Sequence, residues 1–157
     1  MRITVSAIRF ALVSALFAAL FASCASAPYA QKEDEVLKLV TLINEGRVGE
    51  VEGLTPAPFA LDTETLYLES DVSTFWKNLK EASFVMKDAR YVSAEHVGPE
   101  SWKAFADTYD MKNFFARYTG KDTSVVTLET ADGTYLLLLE RAVKGYPRVR
   151  GLKGPVR

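Results

Sequence analysis

Tyr135-Leu136-Leu137-Leu138-Leu139 is apolar at every position and follows closely on Asp132-Gly133. Asp-Gly between two β-prone runs is a strong hairpin signal, so residues 123–129 and 134–143 read as paired strands. A strand with one wet face alternates apolar and polar residues. A strand that is apolar throughout is covered on both faces. Lys144-Gly145 then turns the chain into a last strand over residues 146–153, where Pro147 suits the start or an edge.

The segments upstream supply helices and further strands. Val36, Leu37, Val40 and Ile43 share one helical face behind Glu33-Asp34, and Gly46 stands where a helix-ending glycine belongs. A short second helix over residues 48–54 is stopped by Thr55-Pro56-Ala57-Pro58. Residues 59–62 and 66–69 read as short strands joined through Thr63-Glu64-Thr65. Ser70 or Asp71 caps a third helix, with Val72, Phe75, Trp76 and Leu79 on one face. Residues 84–97 read as a long strand whose parity changes between Val85, Ala89, Tyr91 and Val92, Ala94; a bulge near Asp88 accounts for the change and bends the sheet. Gly98-Pro99-Glu100 opens another helix with Trp102, Phe105, Ala106 and Tyr109 as its stripe. Asp110 caps a further turn carrying Phe114, Phe115 and Tyr118 and stopped by Gly120.

The resulting order, α, α, β, β, α, β, then an extra helix and three strands, resembles the nuclear transport factor 2-like superfamily. That family includes polyketide cyclase-like and ketosteroid isomerase-like proteins. The residues that carry the resemblance are Leu39-Val40-Thr41-Leu42-Ile43-Asn44-Glu45-Gly46-Arg47, Phe75-Trp76, and the closing hairpin through Gly145-Tyr146-Pro147-Arg148-Val149. It spans about residues 32–154 and implies an α+β, cystatin-like cone, in which a bent antiparallel sheet packs on helices. Residues 99–118 would be a helical insertion. Enzymes of the family hold an acid–base carboxylate or histidine and a polarising tyrosine at the cone's open end. The residues here that could line such a pocket are Asp62, Tyr67, Tyr91 and His96, although spacing alone does not bring them together. The aromatic segment offers Trp102, Phe105 and Tyr109 as a lid over an apolar ligand or, alternatively, as core packing. Arg117 either holds an anionic group or extends to water.

The N-terminus concerns location. Arg2 and Arg9 flank a short basic region, residues 10–22 are uncharged and apolar, and Leu20-Phe21-Ala22-Ser23 precedes Cys24, the single cysteine. This layout is that of a secretory signal and resembles the bacterial lipoprotein signal, in which the cysteine becomes the lipidated first residue. Two other readings stand beside it: cleavage after Ala25-Ser26-Ala27, with Pro28 unfavourably placed after the bond, and an uncleaved anchor over residues 10–31. On the lipoprotein reading residues 1–23 are removed, 24–31 form a tether and 32–157 form one domain. Ala25 after the cysteine favours the outer membrane of a bacterial envelope.

Composition narrows the rest. There are 20 acidic and 19 basic residues, two of the latter in the leader, which gives no case for nucleic-acid binding. The basic residues cluster late, with Arg141, Lys144, Arg148, Arg150, Lys153 and Arg157 beyond the last acid, Glu140. That run is either a solvated strand and tail or a contact for anionic headgroups or an acidic ligand. One histidine and one cysteine form no zinc set, there is no phosphate-cradling glycine loop, and no Gly-x-Ser-x-Gly elbow is present. No metal or other cofactor is expected. The leading expectation is a membrane-anchored, non-catalytic module that binds a small apolar ligand or an envelope protein. The rival is a membrane-tethered isomerase, dehydratase or cyclase.

Overall fold

The computed structural model describes residues 31–156. Its elements are α1 (Glu33–Asn44), α2 (Val48–Leu54), β1 (Phe59–Leu61), β2 (Glu64–Leu66), α3 (Glu69–Glu81), β3 (Arg90–His96), a 3₁₀ turn (Ser101–Ala104), α4 (Tyr109–Tyr118), β4 (Thr123–Thr130), β5 (Gly133–Val143) and β6 (Tyr146–Val156). The domain is α+β, with one six-stranded sheet in the order β2-β1-β6-β5-β4-β3. β3, β4, β5 and β6 are antiparallel neighbours, and β1 and β2 form an antiparallel hairpin. Contrary to the expectation of an all-antiparallel sheet, β1 joins β6 in parallel, with Ala60 opposite Gly151. More than eighty residues, α3 and α4 among them, separate β1 from β6, so no tight turn dictates their relative direction.

The apolar run of β5 does what its composition requires. Leu137 and Leu139 face one layer, where Val36, Leu39, Val40, Phe59 and Trp76 from the first half of the chain pack against Val126, Leu128 and Val149. Leu138 faces the other, with Ala60, Trp102, Phe105, Met111, Phe114 and Phe115. The sheet is therefore sandwiched: α1, α2 and α3 cover one face, and the 3₁₀ turn with α4 covers the other.

Gly151 lies where the second layer meets the β1–β6 junction. A Cβ there would stand 2.9 Å from the Ala60 carbonyl oxygen and 3.2 Å from Cε1 of Phe105. Gly151→Ala should accordingly cost about 1–3 kcal/mol through overpacking, measurable by chemical denaturation. An unchanged midpoint would mean that β1 and Phe105 do not close on β6 as described.

Several element boundaries differ from the sequence reading. α3 starts at Glu69, after Leu68, which caps without a side-chain bond; neither Ser70 nor Asp71 is the cap. The first hairpin turns at Asp62-Thr63, since Leu61 already pairs with Glu64, and Asp62 takes φ 50°, a left-handed conformation that aspartate tolerates. Residues 84–89 are not strand. The Met86 N–H donates to Asn44 Oδ1 (2.7 Å) and its carbonyl accepts from Asn44 Nδ2 (3.3 Å), so a helix-end side chain replaces the strand partner. The change of parity comes from a register shift between Tyr91 and Ser93 rather than from a bulge near Asp88. Residues 99–118 are two pieces. Thr108, not Asp110, caps α4, its hydroxyl accepting the Met111 N–H at 3.2 Å.

Candidate functional site

The four polar residues singled out from the sequence are held apart. Asp62, in the β1–β2 turn, accepts the Gly154 N–H at 2.9 Å. Tyr67 is 59% exposed just ahead of α3. Tyr91 points into the helical layer and donates its hydroxyl to the Gln31 carbonyl (3.4 Å). Burial, with a smaller contribution from Glu33, raises its pKa and keeps it a protonated donor. His96 is exposed at the end of β3, in register with Ser124. β6, β5 and β4 lie between β1 and β3, about 19 Å measured along the sheet. The crevice of the helical layer, lined by Leu42, Val51, Trp76 and Phe84, has room of about 10 Å³, enough for one water at most. Among the described residues no group of three or more His, Cys, Asp or Glu side chains is placed to hold a metal ion.

The aromatic segment divides. Phe105 is fully buried and Trp102 is 8% exposed, whereas Tyr109, the first residue of α4, is 78% exposed. Phe105 packs on Phe115, and Phe114 on Phe115 and Tyr118. These contacts make the segment a second core against the outer face of the sheet. Arg117 is exposed in the last turn of α4. Cys24 lies outside the described residues.

The concave features are at the surface instead. One groove of about 420 Å³ has Val97, Pro99, Trp102, Phe115 and Ala116 as its apolar floor, with Lys112 and Lys121 beside them. The Trp102 ring faces Lys103 and Lys112 at 5.4 and 5.8 Å from its centroid, within cation–π range. Its indole N–H donates to the Pro99 carbonyl at 3.1 Å, which fixes the ring. Lys103 forms a hydrogen-bonded ion pair with Glu100, and this holds the Glu100 carboxyl below its usual pKa, with Lys112 adding a smaller effect.

A second groove, also about 420 Å³, runs on from the first, sharing Gly120 and Lys121 and continuing to Glu140, Arg141 and Arg148. Register explains the cluster: Thr123 pairs with Glu140, and Glu140 with Arg148. Glu140 is engaged mainly by Arg150, whose Nε lies 2.8 Å from Oε1, while Arg148 stands at 3.8 Å and remains about half exposed.

Comparison with known protein families, curated proteins and solved structures finds no match. Function therefore rests on this chain's own residues. Reading the sequence noted the late arginines but missed Lys112 and Lys121. Lys112 lies on α4 and Lys121 just beyond its end, and only the fold of residues 97–123 onto one rim joins them to the arginines. The available signal was the pairing implied by Asp132-Gly133, which sets residues 121–123 beside 140–142.

Proposed function

We propose that this chain is a bacterial envelope lipoprotein, held to the outer membrane by lipid on Cys24, whose domain is a non-catalytic binding module. The observation that carries the binding reading is the engagement of the acid–base candidates by backbone groups: Asp62 by the Gly154 N–H and Tyr91 by the Gln31 carbonyl. A proton-transfer pair needs a carboxylate and a donor aimed at one substrate atom. A long, partly apolar surface groove is the geometry of a module that holds something from outside. The order α, α, β, β, α, β, β, β, β with α4 inserted supports a nuclear transport factor 2-like, cystatin-like cone. What the module holds, in this reading, is a small apolar ligand or a segment of another envelope protein. Among the described residues no helix is long and apolar enough to cross a membrane; the anchor in this reading is the lipid.

Cys24→Ala should release the protein from the membrane fraction or leave an unprocessed precursor. Acyl chains contribute ~0.8 kcal/mol for each buried CH₂, so loss of two or three chains removes nearly all membrane affinity. Wild-type protein that takes up no fatty-acid label, with no change in size or fractionation on substitution, would refute the anchor. Mass spectrometry of native, membrane-extracted protein tests the module: a retained apolar molecule or protein partner supports it. Turnover of a carbonyl substrate that is abolished by Asp62→Asn or Tyr91→Phe would replace it with the enzyme.

A further inference from the structure

We propose that the continuous groove from Trp102 to Arg148 is the face that the domain lays on an anionic bilayer, with lipid phosphates seated between Lys121 and Arg148. The inference rests on the lipid-anchor reading and adds an orientation and a lipid class to it. Three observations converge on it.

The first is where the chain enters the domain. Gln31 is buried, and its amide Nε2 donates to the Leu139 carbonyl at 3.3 Å. Leu139 belongs to the row His96–Ser124–Leu139–Val149. The next row, Thr123–Glu140–Arg148, lines the groove. The tether thus enters one row from the basic cluster. The seven residue-to-residue steps from Cys24 to Gln31 span at most about 25 Å when fully extended, so an anchored domain keeps this end close to the headgroups.

The second is charge. Lys121, Arg141 and Arg148 line this part of the groove against Asp122 and Glu140. Arg150 takes up most of Glu140 from outside the groove, so the cations prevail within it. Among the described residues Lys121 forms no ion pair, and Lys144 adds a charge at the exposed β5–β6 turn. A Lys or Arg close to an anionic leaflet strengthens binding about fivefold, and the effect fades within a Debye length.

The third is the apolar end. Pro99 and Ala116 are exposed there over the buried Trp102 ring, with Lys112 and Lys121 beside them, a small apolar patch bordered by cations, as suits the headgroup level of a bilayer.

The test uses the full chain, extracted from membranes and reconstituted into vesicles of phosphatidylcholine alone or of phosphatidylcholine with phosphatidylglycerol. Hydrogen exchange is followed at residues 120–122 and 144–145. Exchange there should slow about tenfold or more only with phosphatidylglycerol. Lys121→Gln with Arg148→Gln should abolish the difference while leaving the melting temperature unchanged, since both side chains reach solvent. Equal exchange in the two vesicles, or protection centred on Tyr67 and Leu68 instead, overturns the proposal. Equal protection by inorganic phosphate in detergent overturns it as well, in favour of a soluble-anion site. Flotation of the Cys24→Ala chain separates the two readings. Binding to phosphatidylglycerol vesicles by an unlipidated wild-type chain and by this variant keeps the groove and removes the anchor. A lipidated chain without the protection keeps the anchor and removes the groove.

Discussion

Phe105→Ala should lower the free energy of unfolding by about 3–5 kcal/mol, the usual cost of emptying a fully buried aromatic site. Phe105 is 0% exposed, touches Phe115 at a ring separation of 5.5 Å, and closes over the β1–β6 junction at Gly151. Only a short turn carries it, so little helix is available to collapse into the void. Lys153 Nζ, which donates to the Ala104 carbonyl at 2.8 Å, also ties the turn to β6. Urea denaturation checks the value. A loss below about 1 kcal/mol, coupled to loss of a bound apolar ligand, would make the segment a lid instead of a core.

Leu137→Ala should cost about 2–5 kcal/mol by the same measurement. Leu137 is 0% exposed and faces the layer opposite Phe105, among residues of α1, β4 and β6. Its register partners are Val126 on one side and Leu152 on the other, so no solvent edge is near. The two substitutions lie on opposite faces and share no ring or side-chain layer. Their effects should add within about 0.5 kcal/mol in the double variant. A large deviation would show that the layers yield together through the sheet.

The sequence made these two sites legible to different degrees. A five-residue apolar run beside Asp132-Gly133 leaves few alternatives to a central strand, and β5 is one. Gly46 marks the end of α1 because its φ of 62° is a conformation that L residues rarely adopt. β1 gave no comparable sign. A three-residue strand has too few positions to announce its partner, so its parallel union with β6 was invisible, although the glycine that permits it stood in plain view. Residues 84–89 misled because Phe84 and Met86 are core residues without being strand residues; the compensating bonds come from Asn44, distant in sequence. The grooves were less legible still. Lys112 lies in α4, Lys121 in the turn before β4 and Arg148 in β6, and periodicity within an element says nothing about which rims meet.

The union of β1 with β6 also governs timing. Ala60 finds Gly151 only after nearly the whole chain has been made, and closing so long a loop is slow compared with forming hairpins. Until the last strand arrives, the β1–β2 hairpin has no partner in the sheet, and part of the layer that packs on Val149 and Leu152 stays loosely held. For a chain bearing the proposed leader, that delay is useful: the portion that emerges first remains pliable enough to thread through a translocation channel. In that reading, the last of the stability comes with the final strand, on the far side.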